Sequence, residues 1–491
     1  MALPNLLSLN FLVPFVAGKI DFSRAIRGLR GMPRRLLLIG HKLTTGTQLV
    51  NTITPISNEA EAIERLGEGS MLLAMWRAAK ANADLGLPID IIAIAEGGSA
   101  VKATSTVTIG TVPTTAGEVA LYIGGERIAI GATPTDTVTQ IATRLAAAVN
   151  ANARLPVTAA SALGVVTLTA RHGGPIGNEI DVRTLYFADD RLPAGLVATI
   201  VPMVGGAVSP DVSPVIAAMN MYRATEIVMP FTDSANMAIL ETELATRWLA
   251  NNMQDGMAVT ALRGTEATLT TWLSTRNSPH VHTITVTKDT TTPYETAAMA
   301  GAAIERNAAI DPAVGPTARL LGYKGPSTGN HFTIEAINNL LNAGGSSLNI
   351  AQDASGSLLR MVTNYTLSPG GAPDRSMAEM CWLKTMSYYR WFIVTEFVNK
   401  YNNAGYKLAQ YIKQPIPGQK IMTPDLGQEV MIGIYKLFQD AGLTQNLPYY
   451  ISTLVVEIDA PNGKLKIKDE PVILTQHYQT EVTSYAIAGQ V

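Results

Sequence analysis

Short apolar runs and amphipathic stretches alternate near the start of the chain. RRLLLIG from Arg34 and PIDIIAIAEG from Pro88 are typical of buried parallel strands, because most positions are apolar and each run ends in glycine. Met71 to Asn82, MLLAMWRAAKAN, is rich in strong helix formers and is predicted to be a helix. Strand, helix and strand at this spacing predict one layer of a helix-covered sheet.

A strictly alternating pattern begins at about residue 99. Gly124-Gly125 lies between the alternating runs GEVALYI and ERIAIG and predicts a tight hairpin. Asp136 to Asn150 instead has its apolar residues at helical spacing. We therefore expect residues 99–190 to form a β-rich α+β domain inserted into the main fold. Insertions are tolerated where few contacts cross, so its expected position is the outer surface.

Alternating strands and helices then resume, which predicts that residues 34–98 and 191–357 build one α/β core domain around a mixed sheet. Residues 358–491 are predicted to form a C-terminal α+β domain that ends in a strand arm. This part contains an amphipathic helix over Asp425 to Gly442 and a hairpin at Asn462-Gly463.

The first 33 residues lack helical periodicity. Pro14 and Gly18 interrupt the loosely alternating run FLVPFVAGKIDF. Since proline cannot donate a main-chain hydrogen bond, such a strand belongs at a sheet edge or on another subunit. Residues 1–33 are therefore predicted to be an extended arm.

Composition narrows the range of partners. Charged residues make up 15% of the chain, below the roughly 25% typical of soluble domains, which suggests a surface covered by other protein. A net charge of -2 without a basic block argues against nucleic-acid binding. The apolar run near the N-terminus is broken by Asn10 and Pro14, so we expect neither a secretory signal nor a membrane span.

The sequence matches known motifs for catalysis and metal binding poorly. GHKLTTGT, Gly40 to Thr47, lacks the glycine spacing and the lysine of a phosphate loop, and the chain has no dinucleotide fingerprint. His280 and His282 share one side of a predicted strand, but nothing completes a metal site, so we interpret them as surface or interface histidines. The single cysteine, Cys381, is predicted to be a buried, inert thiol. We predict no enzyme activity, no cofactor and no metal.

One stretch resembles a known family. RMVTNYTLSPGGAPDRS followed by WLKTMSYYRW is similar to the C-terminal domain of contractile tail sheath proteins, where a strand R-x-V-T-x-Y precedes a loop ending D-x-S and a helix. The matching positions are Arg360, Val362, Thr363, Tyr365, Asp374, Ser376, Leu383, Thr385, Tyr389 and Arg390. VPFVAGKIDFSRA, PRRLLLIGHK, the insertion and MTPDLGQEVMIGIYKLFQDAGL also resemble sheath proteins of Mu-like phages. The resemblance thus covers nearly the whole chain.

The resemblance implies a structural subunit of a phage or prophage-derived tail, assembled in the cytoplasm of the host bacterium. Such subunits stack as hexameric rings around the tail tube and contract, driving the tube through the bacterial envelope for genome delivery. The implied partners are further copies of the chain, the tube protein, the baseplate and the tail terminator, without membrane insertion. A core domain of subtilisin-like fold without catalysis is implied as well.

The resemblance also implies that terminal arms exchange strands between subunits. The expected arm contacts are Val13, Phe15, Val16, Ile20, Phe22, Val482, Tyr485 and Ile487. The strand from Arg360 to Tyr365 is expected in the sheet that accepts these arms, with the following helix on the inner wall. Two alternatives stay open, namely another phage tube or capsid protein and a degenerate α/β hydrolase.

Overall fold

The computed structural model describes residues 29–187, 189–327, 329–412 and 418–484, which belong to two compact units. The core unit contains residues 32–402 and 473–484 of this set. The C-terminal unit contains residues 403–472 of this set, together with residues 29–31.

Regular elements follow one another closely along both units. In chain order the core unit has β1 (Leu36–Gly40), β2 (Ile53–Pro55), α1 (Glu59–Leu66), α2 (Met71–Asn82), β3 (Ile89–Ala93), β4 (Lys102–Thr111), β5 (Gly117–Ile123), β6 (Glu126–Ala132), α3 (Val138–Ala151), β7 (Val157–Ala162), β8 (Val165–Gly173), β9 (Val182–Arg183), β10 (Val197–Val204), α4 (Ser213–Met219), β11 (Glu226–Val228), α5 (Ser234–Arg247), β12 (Met257–Arg263), α6 (Glu266–Leu273), β13 (Val281–Val286), α7 (Pro293–Ile310), α8 (Ile334–Asn342), β14 (Gly345–Ile350), β15 (Gly356–Arg360) and α9 (Met380–Phe397). The C-terminal unit has β16 (Lys407–Leu408), β17 (Ile421–Met422), α10 (Pro424–Asp440), α11 (Leu447–Thr453), β18 (Val455–Asp459) and β19 (Lys464–Lys468).

The core unit is built on a sheet with the strand order β15-β14-β13-β12-β11-β1-β3-β2. The strands from β14 to β3 run parallel, and antiparallel β15 and β2 close the two ends. Every residue of β1, β3 and β13 is buried, as expected for parallel strands covered by helices on both faces. Strands from residues 36–93 and from residues 226–360 therefore share one sheet.

The insertion has a hydrophobic cluster of its own, distinct from that of the core sheet. It contains two sheets, ordered β10-β4-β8-β7 and β6-β5-β9, with α3 packed against them. Gly124 and Gly125 join β5 to β6 with φ angles of 55° and 82°, the left-handed conformation that a tight hairpin requires. Because β10 pairs with β4, the insertion's sheet includes a strand beyond the predicted boundary at residue 190.

Of the strand predicted from Arg360 to Tyr365, only Arg360 lies in a regular strand, β15. β15 ends at Arg360 and pairs with β14 on one side, while on the other side the Leu358 N–H donates to the Ala318 carbonyl at 3.0 Å. With both edges bonded, this strand does not offer the open edge expected for a neighbour's arm. The compact core unit also continues to Asn402, past the predicted start of a C-terminal domain at residue 358.

The C-terminal unit contains the predicted amphipathic helix as α10 and the predicted hairpin as β18 and β19. Tyr435 of α10 and Tyr450 of α11 are fully buried, and their rings stack at 3.7 Å between centroids. Gly427 of α10 lies so close to the hairpin that a Cβ atom there would be 2.9 Å from Val456. Within the described ranges, no helix is long and apolar enough to cross a membrane.

Candidate assembly surfaces

Arg360, the first residue of the sheath-like motif, holds a segment from the C-terminal end of the chain. Its guanidinium donates to the Glu379 carboxylate, with Nε at 3.2 Å, and lies 4.2 Å from the ring centroid of Tyr478. The Tyr478 hydroxyl donates to the other Glu379 oxygen at 3.0 Å. Burial, followed by the nearby Glu379 charge, raises the pKa of Tyr478, so the hydroxyl stays protonated and remains a donor. Arginine, glutamate and tyrosine thus form a clasp on the core unit.

The next motif residues fix the loop that follows β15. The Tyr365 hydroxyl donates to Asp374 at 2.6 Å, and Asp374 accepts the Ser376 main-chain N–H at 2.8 Å. The Tyr365 bond is the main cause of a lowered pKa at Asp374. Thr363 donates to the Met377 carbonyl at 2.7 Å. Both ends of the loop are therefore tied together, and a cavity of about 330 Å³ lies beside it.

The remaining motif residues lie on α9. Leu383, Thr385 and Tyr389 are buried, and the Thr385 hydroxyl donates to the Cys381 carbonyl one turn earlier at 2.8 Å. Arg390 donates to Asp255 through Nε at 2.9 Å and to the Trp248 carbonyl at 3.0 Å. Its guanidinium also lies 5.3 Å from the Trp248 ring. These contacts fasten α9 to the segment between α5 and β12.

Sequence reasoning missed a buried ionic cluster beneath α9. Lys384 Nζ lies 2.7 Å from a Glu226 oxygen and 2.5 Å from a Glu305 oxygen, and both glutamates are fully buried. Burial lowers the pKa of Lys384, but the two carboxylates outweigh it and the net pKa is raised. His282 Nε2 lies 3.1 Å from Glu226. A lone lysine in an aromatic helix carries no local signal that its partners lie about 80 and 160 residues earlier in the chain.

The interpretation of His280 and His282 as surface or interface residues is wrong. Their exposed fractions are 9% and 0%, and the His280 ring stacks on Trp248 at 4.6 Å between centroids. Cys381 is buried, as predicted, and burial raises the pKa of its thiol to about 12. Among the described residues, no group of three His, Cys, Asp or Glu side chains is placed to hold a metal ion.

The hairpin of β18 and β19 is the longer of the two two-stranded sheets in the described part of the C-terminal unit. In the described part of the chain no third strand pairs with it, so its outer edges can accept main-chain hydrogen bonds. A two-stranded sheet is also marginally stable by itself. Lysines alternate along β19 at Lys464, Lys466 and Lys468, an arrangement that discourages indiscriminate pairing at an edge.

Most of the predicted arm contacts cannot be placed. Val13, Phe15, Val16, Ile20, Phe22, Tyr485 and Ile487 lie outside the described residues. Val482 is described and is 79% exposed, in a segment without regular structure. Its position is compatible with a contact outside its own core unit.

No protein-family model matches the chain. The chain is 30% identical over 450 residues to a Mu-like prophage tail sheath protein of Haemophilus influenzae, a match that covers 92% of both proteins. The solved sheath tail protein of Desulfitobacterium hafniense aligns with 94% of this chain and all of its own, at 11% identity and a TM-score of 0.47. That of Listeria innocua aligns over 92% of this chain and 96% of its own, at 11% identity and a TM-score of 0.49. By its near full-length similarity to the Haemophilus protein, the chain belongs to the family of Mu-like phage tail sheath proteins.

Proposed function

We propose that this chain is a structural subunit of a contractile tail sheath. The observation that carries this function is the 30% identity over 92% of a curated tail sheath protein. Copies of the chain stack as hexameric rings around a tail tube, and contraction drives the tube through a bacterial envelope. We treat the chain as a non-enzymatic structural protein, because its family is structural.

The same proposal includes the individual partners of the sheath. The sheath contacts the tube protein along its length, the baseplate at one end and the tail terminator at the other, after assembly in the cytoplasm of the host. The predicted division into an arm at 1–33, core segments at 34–98 and 191–357, an outer insertion at 99–190 and a polymerisation domain at 358–491 stays a proposal, with two boundaries moved: the insertion extends through β10, and the core extends to Asn402. A subtilisin-like core is proposed in the same way.

The proposed joints between subunits use main-chain pairing. An arm from a neighbouring copy would add a strand to the open edge of the β18–β19 hairpin, which supplies unpaired N–H and C=O groups. Hydrogen bonds of this kind depend little on side-chain identity, so a flexible joint can hold while rigid domains move. Because a two-stranded sheet is only marginally stable, a third strand would stabilise the hairpin.

The described C-terminal segment supports a second arm. Tyr478 is anchored by Arg360 and Glu379, whereas Val482, four residues further on, is 79% exposed. Residues beyond the anchor would reach a neighbouring subunit. Identical copies can exchange such a segment without new kinds of contact. The side chains that meet within one chain then meet between two chains.

Electron microscopy of purified full-length protein tests the function, with tubes as the expected product. Deleting residues 1–31 should abolish tubes and leave a folded monomer by gel filtration and circular dichroism. Val482→Asp should weaken assembly, while the matched control Leu163→Asp, at a 91% exposed loop position of the insertion, should not.

Normal tubes from the deletion protein would refute the arm. Tubes that never shorten would favour a tail tube or capsid protein. Labelling by a serine-directed probe that a single Ser→Ala substitution removes would favour the hydrolase.

A further inference from the structure

The insertion is joined to the core sheet by a neck of two chain segments. The first segment runs from β3 to β4 and the second from β10 to α4, and Val101 and Ala207 bond to each other where the segments pass, at 3.0 and 3.2 Å. Each segment carries a pair of glycines near this crossing, Gly97-Gly98 and Gly205-Gly206. Because glycine accepts wide changes of backbone angle, the neck has the composition of a hinge.

Val208, which directly follows this crossing, is held in an unfavourable backbone conformation. Its φ angle is 68°, in the left-handed region, where a branched Cβ makes the conformation costly. The two neck segments also touch here, since a Cβ added at Gly97 would lie 3.1 Å from a Val208 methyl group. Such a conformation persists only while the surrounding structure imposes it, so it favours a movement of the neck that lets Val208 relax.

The insertion and the core sheet each have a hydrophobic cluster of their own. Within the described ranges no strand of the insertion pairs with a strand of the core sheet. Of the insertion's apolar side chains in these ranges, Ile176 packs against the core cluster. A cavity of about 250 Å³ lies between residues 173–179 of the insertion and the core, so close packing is interrupted there. Separating the two parts would therefore expose less apolar surface than opening either cluster.

His172, near the end of β8, links the insertion to the neck and to the core. Its Nε2 accepts the Met71 main-chain N–H at 3.1 Å, and Met71 begins α2, where main-chain N–H groups lack partners within the helix. Its Nδ1 lies 2.8 Å from the Glu96 carboxylate of the first neck segment, which also accepts the Gly173 N–H at 3.1 Å. Because the carboxylate accepts, Nδ1 carries the proton and Nε2 keeps the lone pair that Met71 needs.

Other hydrogen bonds across the boundary share one form, in which a side chain of one part donates to a main-chain carbonyl of the other part. They join Arg183 to Lys288, Tyr186 to Gly325, Arg263 to Glu179 and Lys324 to Gly125, at 2.5 to 3.1 Å. We call these contacts, together with those of His172, the polar seam. Both partners of such a bond can turn to water instead, so each bond favours the closed position by only about fivefold.

We propose that the insertion is a hinged module, which turns as one rigid body at the Gly97-Gly98 and Gly205-Gly206 neck when the polar seam separates. The polar seam holds the closed position, and the strained backbone of Val208 lowers the cost of leaving it. Both hydrophobic clusters stay intact during this movement. The chain thereby changes the angle between its insertion and its core without breaking a β-sheet. This inference does not depend on the sheath function.

Thiol labelling of the full-length protein with a maleimide, read by peptide mass spectrometry, measures this opening. Ala261 lies on β12, lines the cavity and is 5% exposed, so Ala261→Cys provides a cavity reporter that the closed insertion covers. Ala142→Cys places a reporter inside the insertion's own cluster, and the native Cys381 reports on the core. When the insertion closes faster than the thiol reacts, the labelling rate is proportional to the open fraction. Hinge opening exposes the cavity reporter and leaves the other two thiols buried.

His172→Phe combined with Tyr186→Phe keeps both aromatic rings and removes three hydrogen bonds of the polar seam. At about fivefold per bond, labelling of the cavity reporter should become about a hundredfold faster. The other two thiols should keep their labelling rates, because neither hydrophobic cluster opens. His477→Phe, at an exposed histidine, is the matched control and should leave all three rates unchanged.

Val208→Asn tests the strain, because asparagine tolerates the left-handed backbone and keeps a Cβ. The closed position is then less strained, so the cavity reporter should be labelled about fivefold more slowly. Equal acceleration of all three thiols in the double variant would show that the protein unfolds and has no hinge. An unchanged rate at the cavity reporter would show that the polar seam does not hold the insertion. Either result, or a rate that Val208→Asn does not lower, overturns the proposal.

Discussion

The substitution Lys384→Met tests how α9 is held on the core sheet. Lys384 is 8% exposed, and its Nζ lies 2.7 Å from Glu226 and 2.5 Å from Glu305, both fully buried. Methionine fills most of the same space but leaves two carboxylates without their cation. Removing one partner of a buried ion pair costs about 3–5 kcal/mol, and we expect a decrease of this size in the free energy of unfolding at neutral pH.

This loss should become smaller as the pH falls. Burial raises the pKa of Glu226, but Lys384 and then His282 outweigh burial and the net pKa is lowered. In the unmodified protein this carboxylate therefore contributes stability above its unfolded pKa of about 4.3, and the contribution is lost as the pH falls through the folded pKa. Without Lys384, burial dominates and the folded pKa rises above the unfolded value. The variant then gains stability on acidification, because its native state binds the proton first.

Urea unfolding followed by tryptophan fluorescence measures both effects. Trp382 lies on α9 and reports on this helix, and midpoints are compared at unchanged slope. Arg319→Met is the control, since the ion pair of Arg319 with Asp353 is 3.3 Å long and well exposed at both ends. We expect no measurable midpoint shift for the control. A loss below about 1 kcal/mol for Lys384→Met, typical of a surface pair, or a loss that does not change with pH, would refute this reasoning.

Three further predictions concern other parts of the chain. Gly427→Val should destabilise the C-terminal unit by about 1–3 kcal/mol in thermal unfolding, because a Cβ there would be 2.9 Å from Val456; Gly433→Val, at an open helix position, is the control. Limited proteolysis should cut the C-terminal segment faster in Tyr478→Ala than in Tyr478→Phe, which keeps the ring over the arginine; equal rates would contradict the clasp. Burial raises the pKa of Asp289 to about 6, so its protonation stabilises the native state at low pH and this contribution is lost as the pH rises from about 4 to 6. Asp289→Asn should remove about 2–3 kcal/mol of that pH dependence in the difference between the two urea curves, and parallel curves would contradict the assignment.

Features with a local cause were predictable from the sequence. The hairpin at Gly124-Gly125 needs only two residues that tolerate left-handed backbone, and the hairpin at Asn462-Gly463 needs one, Gly463, at the end of a four-residue loop. Helix α10 follows from an apolar stripe at helical spacing together with Thr423, which caps its first turn. The strands of the core sheet follow from continuous apolar runs, which only a sheet covered on both faces can bury.

Features decided by distant parts of the chain were missed. β10 has alternating apolar and polar residues, a pattern that would fit the core sheet as well as the sheet of the insertion. Only its pairing with β4, almost 100 residues earlier, assigns it to the insertion. Lys384, His280 and His282 are polar residues whose burial depends on partners from other strands and helices. A hydrophobic pattern does not reveal these partners, because burial of a charge depends on the group opposite and not on its neighbours in sequence.

The positions of the motif residues also explain what kind of information a sheath-like signature carries. Tyr365, Asp374 and Arg390 all use their polar groups on partners within the core unit, and Leu383 lies in its interior. Such groups are not available to a neighbouring subunit unless an internal bond is broken, so the motif specifies a folded element. An arm that pairs through its main chain places fewer demands on its sequence. It needs alternating apolar and polar residues and no proline where a main-chain N–H must donate a hydrogen bond. The recognisable residues and the residues that join the proposed lattice are therefore largely different sets.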